Sequence, residues 1–581
     1  MNSLSSSAQI ENRLPPAQAA LLFGAALFRF INLGFLDLQA WDEALYAVRA
    51  QAILRAGLWL DQTSHAIDGL YSSLHPPFYV WATAIAYQLF GESEFAARFF
   101  ATLSGGLTVF VIYFIGRELR SKETGLVAAL LYSLNPFTVF FSRQGQFDSL
   151  LVLFLALSAL GLIISIQRIG RKGTVVAGIL VGCALMTKLF VAFGIPVAYV
   201  LWILIVRPEN RKEHWIRTGI IIMLASAVSG PWHVYMTVVH GNGDPFFFLG
   251  SSAVVQRTLF GIEGNVKPLE VLYYVNQLIV LFPFGLAAFL HGSWESYQAR
   301  RPLWLFTIIW FSFFFLVFSL MRTKLAVYLL PMLIPASLLA GSTLDSMAQG
   351  SLQNKDSRWI IFATVFFGIW SFSQTWRDSV KGMISSLLSL QAPSLDNLTG
   401  TFLLLSTTIF GIGISWVLLR GPLVSRARLF PPLLLLAMFC LSSSAIVITD
   451  RYQYNDGAAA LTEHIAKSKV NQIVVAGYER NPQLTYYLAG ADIGWRDDLH
   501  VRRIIPPSDS TLYRTWIQQE MIGEPAYTLL VIEKDKFIRY HTINPQSFLA
   551  DGYVRVFESR RYAAFVAGRV DFLASANPKR N

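Results

Sequence analysis

Acidic side chains stand at two places where an apolar stretch of this 581-residue sequence ends. Asp42 and Glu43 lie in LDLQAWDEALYAVRAQ, which runs from Leu36 to Gln51, and Asp148 lies in SRQGQFDSL. A carboxylate beside a reacting hydroxyl or amine can accept its proton, and a second carboxylate can orient the first or hold the substrate. A solvated helix cap is the simpler explanation of the first pair taken alone.

Cationic and polar side chains suited to binding an anion form a second group of candidates. They are His75, Lys188, Arg257, Lys324 and Tyr328. A single Lys or Arg at the edge of a membrane span is most simply explained by snorkelling or pairing, and this holds above all for Lys188. Several such groups together with separated acids suit a phosphate group and acid–base chemistry.

The composition places these residues in a membrane protein. Hydrophobic residues make up 54% of the chain and charged residues 14%, whereas soluble domains carry about a quarter charged residues. The apolar residues come in runs of about 20, which is the length of a helix that crosses a bilayer. The net charge of +11 is typical of basic cytoplasmic loops. Cys183 and Cys440 lie inside apolar runs, which predicts core residues rather than a disulfide or a metal site.

The apolar runs predict about thirteen transmembrane helices. These are 17–36, 95–116, 123–142, 148–167, 173–188, 189–206, 217–238, 271–290, 302–321, 325–346, 358–376, 400–419 and 429–448. Residues 1–15 lack the features of a signal peptide, so the first run is expected to remain as a helix. With a cytoplasmic N-terminus, every second connection is basic, as expected for loops on the cytoplasmic side. The C-terminus is then outside.

Residues 37–94 are expected to form one long extracytoplasmic loop. Its segment 75–91, HPPFYVWATAIAYQLFG, is short and opens with two prolines. Counting it as a span would invert every later loop against the charge rule, so it is predicted to be an interfacial helix. A second helix, amphipathic, is predicted over about 43–56.

The chain changes character near Asp450. NQIVVAG and YTLLVIEKD are predicted to be strands, and DGAAALTEHIAKSK is predicted to be an amphipathic helix. We therefore expect an α-helical polytopic protein of the inner (plasma) membrane. Its parts would be a cytoplasmic N-terminus (1–16), a transmembrane domain (17–449) and an extracytoplasmic α/β domain (450–581).

Six motifs occur in the order found in GT-C glycosyltransferases. They are WDEALYA, HPPFYVWATAIAYQLFGESEFAARF, FDSLLVLFLAL, MTKLFVAFGIP, GPWHVYM and TKLAVYLLPMLIPASLLAG. Over residues 20–345 the sequence resembles the bacterial relatives of protein O-mannosyltransferases, which include lipid A aminoarabinose transferase. The resemblance implies transfer of a sugar from a polyprenyl-phosphate donor to an acceptor outside the cytoplasmic membrane.

The resemblance also implies roles for the candidate residues. The family's catalytic acid maps to Asp42, and the family's second-loop Asp maps to Asp148. Asp42 would be the base, and Glu43 and Asp148 would hold hydroxyl groups or orient Asp42. The leaving phosphate needs positive charge as its bond breaks. That charge would come from Arg257 and Lys324, with Tyr328 as a hydrogen-bond partner, and with Lys188 and His75 as further candidates.

The metal site of the aminoarabinose transferases is expected to be missing. Those enzymes carry Glu-Lys before the double proline, where this chain has Leu74 and His75. Their Glu joins a His of the third large outer loop, but SSAVV before Gln256 and Arg257 contains no His. No cofactor is therefore assigned. Binding of a divalent cation at another site remains an alternative.

Two further departures argue against aminoarabinose transfer itself. The family's Lys-Leu-Pro is Lys324-Leu325-Ala326 here, and the acid pair is followed by Ala44-Leu45 without the Arg of that subgroup. The general transferase chemistry is unaffected. The sequence does not name the sugar, and the acceptor could be lipid A, another glycan or a protein.

A different class of function is the alternative. A lipid-linked sugar flippase or a polysaccharide polymerase would also handle polyprenyl phosphates. A transporter is expected to place ionisable groups near the membrane midplane, whereas these candidates collect at one membrane face. A purely structural membrane scaffold would leave the outer cations without a role.

Overall fold

A computed structural model describes the following residues of the chain: 14–39, 42–67, 69–168, 170–244, 246–248, 265–266, 270, 272–375, 428–452, 457–468, 470–476, 481–491, 497–504, 519, 521, 528–533, 553–559 and 561–567. The chain divides into two compact units. The first unit comprises Met1–Leu33, Leu74–Tyr79 and Arg98–Ile448, and the second comprises Gly34–Ser73, Val80–Ala97 and Thr449–Asn581. The second unit therefore combines most of the predicted outer loop with the predicted C-terminal domain.

Helices make up most of the described chain. The α-helices are α1 (Pro16–Leu27), α2 (Asp42–Ala56), α3 (Leu70–Ser73), α4 (Phe78–Phe90), α5 (Glu94–Leu119), α6 (Lys122–Ser133), α7 (Pro136–Ser142), α8 (Asp148–Gln167), α9 (Lys172–Leu185), α10 (Leu189–Ala192), α11 (Gly194–Val206), α12 (Arg211–His240), α13 (Leu272–Leu281), α14 (Pro283–Gln298), α15 (Pro302–Leu320), α16 (Leu330–Gln349), α17 (Asn354–Thr375), α18 (Phe430–Tyr452), α19 (Ala458–Lys467) and α20 (Pro482–Tyr487). Single turns of 3₁₀-helix occur at Phe28–Phe30 and Ala326–Leu329.

Six of the described helical segments are long and apolar enough to cross a membrane. They are Glu94–Leu119, Asp148–Gln167, Leu189–Val206, Arg211–His240, Pro302–Leu320 and Ala326–Gln349. Two bent pairs, α6 with α7 and α13 with α14, raise the number to as many as eight. The chain is thus a multi-pass helical protein. The predicted span 400–419 lies outside the described residues, so the count of thirteen stays a prediction.

The run predicted as one span over 271–290 is not a straight helix. Helix α13 ends at Leu281, α14 begins at Pro283, and their axes differ by 117°. Proline has no backbone N–H to continue a helix, so the chain turns here. The side-chain amide of Asn135 donates to the Leu281 carbonyl over 2.8 Å, and its oxygen accepts from the Phe137 N–H. One asparagine therefore satisfies backbone groups at this break and at the bend between α6 and α7.

Close helix packing brings the start of α8 beside the end of α9. Any Cβ at Gly173 would meet the Gly161 carbonyl, so these two helices approach at glycine positions. The Ser165 and Thr174 hydroxyls lie 2.7 Å apart in the same contact. The two helices run antiparallel, which places residues after α9 next to Asp148.

The second unit contains a five-stranded sheet. Its strands are β3 (Gln472–Ala476), β4 (His500–Ile504), β5 (Leu529–Glu533), β6 (Tyr553–Glu558) and β7 (Tyr562–Ala567), in the order β4-β3-β5-β7-β6. β3 pairs in parallel with β4 and β5, and β7 is antiparallel to β5 and β6. Both predicted strands and the predicted helix, now α19, are present. Helix α19 is amphipathic as expected, because Ala458, Leu461 and Ile465 face the sheet core.

Helix α2 is present where it was predicted, but it is not amphipathic. Eleven of its fifteen residues are buried, including Glu43, Arg49 and Gln51. Arg49 donates to the Ser72 carbonyl and to Gln62, and Gln51 donates to Glu92 over 2.8 Å. The sequence pattern suggested a solvated face because it counted these polar residues as exposed. Their hydrogen bonds allow them to be buried instead.

Candidate functional site

Asp148 and Lys188 of the first unit form an ion pair. The Lys188 ammonium lies 3.2 Å from a carboxylate oxygen of Asp148. Asp148 is the first residue of α8, and Lys188 follows the end of α9, so the antiparallel packing of these helices creates the pair. Their side chains are only 13% and 15% exposed. Lys188, the weaker cation candidate in the sequence, is thus paired with Asp148 and does not snorkel to solvent.

Aromatic rings enclose the Lys188 ammonium. It lies 4.6 Å from the centre of the Phe147 ring and 5.3 Å from that of Tyr328. The Phe147 ring also contacts the His75 ring, with centres 5.4 Å apart. Ring faces attract cations, so this arrangement suits a retained positive charge. We call His75, Phe147, Asp148, Lys188 and Tyr328 the Lys188 cluster.

Two contacts hold the outer members of the Lys188 cluster in place. The Phe78 N–H, three residues after His75, donates to the Met186 carbonyl over 3.1 Å. The Tyr328 ring stacks on Phe318 with centres 4.7 Å apart. The first contact fixes the prolines after His75 relative to the end of α9, and the second fixes the turn before α16 relative to α15.

A small recess opens onto the Lys188 cluster. Asp148, Lys188 and Tyr328 supply its polar wall, and the remaining wall is apolar: Leu151, Val152, Val191, Phe318, Val327, Leu330 and Pro331. A small polar patch in an apolar wall suits a ligand with a polar head and a lipid tail. The ion pair is neutral overall, so binding a phosphate would require a further cation.

Lys324 is not part of the Lys188 cluster. Its ammonium donates to the Phe318 and Ser319 carbonyls over 3.1 and 2.6 Å, at the C-terminal end of α15. Lys324 also forms part of the short strand β2 (Thr323–Lys324), which pairs with β1 (Asn265–Val266). Burial lowers the pKa of Lys324, and Glu270 opposes that effect. A cation at a helix C-terminus satisfies free carbonyls and complements the helix dipole.

Asp42 and Glu43 belong to the second unit and occupy the first turn of α2. Asp42 is exposed. Glu43 is 1% exposed, and its carboxylate accepts the Gln39 N–H over 2.7 Å. Glu43 is therefore not a solvated cap: it is buried and bonds to the backbone of the segment ahead of the helix. Asp42 is thus the exposed acid of the pair, and Glu43 is the buried one.

Arg257 and the stretch SSAVV lie outside the described residues. Among the residues that the structure does describe, no three His, Cys, Asp or Glu side chains lie together as a metal-binding group.

Sequence reasoning singled out Tyr328 but not the phenylalanines of the site, Phe147 and Phe318. Phe147 immediately precedes Asp148, so its position beside the acid was a usable signal. Phe318 lies ten residues before Tyr328 in an apolar run with many aromatic residues. Nothing in that run distinguishes it from its neighbours.

The comparisons with known proteins agree with this architecture. A family model described as dolichyl-phosphate-mannose-protein mannosyltransferase matches residues 74–232, which include His75, Asp148 and Lys188. An uncharacterized protein of Aquifex aeolicus is 26% identical over 58% of this chain and 65% of its own length. Undecaprenyl phosphate-alpha-4-amino-4-deoxy-L-arabinose arabinosyl transferase 1 of Proteus mirabilis is 24% identical over 78% of each chain.

A solved structure has the same fold. It is ArnT from Cupriavidus metallidurans bound to undecaprenyl phosphate, with a TM-score of 0.65 and 18% identity, covering 97% of this chain and 100% of that one. The chain is thus similar, in sequence and in fold, to GT-C glycosyltransferases that use polyprenyl-phosphate sugars. These similarities confirm the resemblance to membrane glycosyltransferases that the sequence motifs indicated.

Proposed function

We propose that this protein transfers a sugar from an undecaprenyl-phosphate-type donor to an acceptor outside the cytoplasmic membrane. The Lys188 cluster carries the proposal, because it combines an enclosed cation, a carboxylate and a cavity with an apolar wall. The apolar wall suits the lipid part of the donor, and the polar patch suits its phosphate. The acceptor is a lipid such as lipid A, a glycan or a protein.

The proposed reaction exchanges one bond for another at the anomeric carbon. Asp42 takes the proton of the acceptor hydroxyl or amine as the acceptor attacks that carbon. The bond from the carbon to the phosphate oxygen breaks, and polyprenyl phosphate leaves with the bonding electrons. Glu43 fixes the start of α2, which carries Asp42. Any divalent cation would act in addition to these residues.

The leaving phosphate needs a net positive charge. Lys188 is largely balanced by Asp148, so we assign the additional charge to Arg257 and to protonated His75. The Tyr328 hydroxyl is a further donor of a hydrogen bond. We assign Lys324 to capping α15, since two of its N–H groups already donate to carbonyls there.

The proposed orientation follows the distribution of basic loops. We propose thirteen spans, a cytoplasmic N-terminus, an interfacial helix at α4 and an extracytoplasmic C-terminal domain in the inner membrane. Single cysteines at Ala84 and Ser510 test this arrangement, because both should react with an impermeant reagent added outside. Labelling at Ser510 only after membrane disruption would contradict it.

The decisive test is transfer from a labelled undecaprenyl-phosphate sugar by the purified protein in lipid. Asp42→Asn keeps the shape of the side chain but cannot accept the proton, so we expect transfer to fall about 100- to 10,000-fold. Asp61→Asn removes a carboxylate of the same predicted loop that bonds to Thr63, and this control should stay within twofold of the wild type. Near-normal turnover by Asp42→Asn would remove Asp42 from the mechanism.

A further inference from the structure

A short segment ahead of α2 is bound by the C-terminal domain within the second unit. We call residues 37–39 the lead-in segment. The Leu38 N–H donates to the Tyr487 hydroxyl over 2.9 Å, and the Leu38 carbonyl accepts from the Gln483 amide over 2.6 Å. Both side chains, the Tyr487 acceptor and the Gln483 donor, belong to α20. The backbone of Leu38 is therefore fixed on both sides by side chains that lie more than 400 residues later in the chain.

Asp37 makes the second attachment. Its carboxylate accepts the Ala458 N–H over 2.8 Å at the first residue of α19. The cap position of α19 is Gly457, which has a φ of +81° and no side chain with which to cap the helix. A Cβ at Gly457 would collide with Ser559, so a larger capping residue does not fit there. Asp37 thus supplies the acceptor that an Asp or Ser at the cap position would normally provide.

A buried hydrogen-bond network fixes the orientation of the Gln483 amide. The Tyr562 hydroxyl, on β7, donates to the Gln483 oxygen over 2.7 Å and accepts from the Asn481 amide over 2.9 Å. Gln483 and Tyr562 are fully buried, and Asn481 is 2% exposed. Because its oxygen is engaged by Tyr562, the Gln483 amide nitrogen points to Leu38. The sheet is thereby linked to the lead-in segment.

The lead-in segment is linked in turn to the acid-bearing helix. The Gln39 N–H donates to the Glu43 carboxylate over 2.7 Å, and the Gln39 carbonyl accepts from the Ala44 N–H over 3.3 Å. Asp42 lies between these bonded residues. The C-terminal end of α2 is also attached to the region after α20, since Arg55 donates to the Ala489 carbonyl over 2.6 Å.

We propose that the C-terminal α/β domain positions the base of the reaction, with Asp37, Gln483 and Tyr487 as positioning residues. They hold the peptide that leads into Asp42, and the orientation of α2 follows from that peptide. A displacement of about 1 Å in a catalytic group can cost roughly 100-fold in rate. This inference rests on the proposed function, in which Asp42 accepts the proton.

The test compares turnover with donor binding in the purified full-length protein, using labelled undecaprenyl-phosphate sugar as the probe. Tyr487→Phe removes the hydroxyl that accepts from Leu38 and donates to Glu94, and Asp37→Ala removes the cap. We expect kcat to fall about 10- to 100-fold in each variant, with donor KM within twofold of the wild type. Asp37→Asn keeps an acceptor oxygen for the Ala458 N–H and should restore most of the turnover.

Two controls separate positioning from general stability of the domain. Lys467→Ala lies on α19 and removes an exposed ion pair with Glu463. Ile465→Val trims the buried face of the same helix and weakens the domain core without touching the lead-in segment. Both should keep kcat within twofold of the wild type. An equal loss of kcat in Ile465→Val would overturn the inference in favour of a structural role.

Hydrogen exchange provides a readout that does not depend on activity. The peptide over residues 36–46 should exchange faster in Tyr487→Phe and Asp37→Ala than in the wild type and both controls. Unchanged exchange and unchanged kcat in an active enzyme would overturn the positioning inference alone. A wild-type protein that transfers no sugar from the labelled donor would instead overturn the proposed function and, with it, the catalytic part of the inference.

Discussion

Removing one partner of the Asp148–Lys188 pair should cost much of the activity, and removing both should cost little more. At 3.2 Å the attraction between two unit charges is about 5 kcal/mol at an effective dielectric constant of about 20. Desolvation of the two mostly buried groups cancels much of this attraction. Hydrogen bonds to charged groups retain about 1.5–3 kcal/mol, which is roughly ten- to a hundredfold in an equilibrium or a rate.

The rings around Lys188 make the two single substitutions unequal. In Asp148→Asn the ammonium keeps its contacts with Phe147 and Tyr328, so we expect kcat/KM to fall about tenfold. Lys188→Met removes the cation and leaves the Asp148 carboxylate facing the donor phosphate. This variant also loses the ring contacts, worth about 0.5–2 kcal/mol, so the loss should approach a hundredfold.

The double variant decides whether the pair acts as one unit. Independent effects would multiply to about a thousandfold, whereas a functional pair predicts no more than the hundredfold loss of Lys188→Met. The difference corresponds to a coupling energy of about 1.4 kcal/mol. The assay is kcat/KM for the labelled donor in all four proteins, with Glu463→Gln and Lys467→Met as a matched cycle at an exposed pair, where no effect is expected. A thousandfold loss in the double variant would refute the reasoning.

Three further predictions concern single residues. Burial raises the pKa of Asp37, with Glu94 adding to the rise and the backbone N–H groups at Ala458 opposing it. The folded protein therefore holds this proton more tightly than the unfolded chain, and stability falls as pH rises from the ordinary carboxyl range through the raised pKa. Asp37→Asn should flatten that slope in thermal unfolding curves measured from about pH 4 upward, and unchanged slopes would contradict the assignment. Lys324→Met should lower the stability of the protein by about 1–3 kcal/mol through loss of the cap on α15, with donor KM changed less than threefold; a large rise in KM without loss of stability would instead make Lys324 a donor ligand. If His75 binds the donor phosphate only when protonated, donor KM should rise above about pH 6.5, and His75→Lys should move that rise to much higher pH. Identical profiles for the wild type and His75→Lys would exclude His75 as a phosphate partner.

The secondary structure could be predicted from the pattern of apolar residues over short stretches of the sequence. Runs of apolar residues are a property of neighbouring positions, and the helices found at α5, α8 and α12 follow them closely. The short apolar runs in NQIVVAG and YTLLVIEKD likewise predicted β3 and β5. The break between α13 and α14 was missed because Pro283 can also occupy the first turn of a helix. A proline alone does not show whether the chain continues straight or turns.

The candidate site was only partly predictable for the same reason. Asp148, Lys188 and Tyr328 were recognised by residue type, but their pairing depends on the packing of α8 against α9. Lys324 was assigned to phosphate by its position at a helix edge. The structure shows its ammonium turned toward the last carbonyls of α15. The direction of a flexible side chain is set by which acceptors the fold brings within reach.

The sequence by itself determined that this is a multi-pass helical membrane protein with strands near its C-terminus. Both conclusions rest on the free energy of burying apolar residues, which depends on composition and on short-range periodicity. Only the tertiary structure decided which polar group meets which. Asp37 caps a helix that begins 421 residues later, and Lys188 pairs with an acid 40 residues earlier. Such contacts form because a buried polar group must find a partner within the folded chain, and no local pattern specifies where that partner lies.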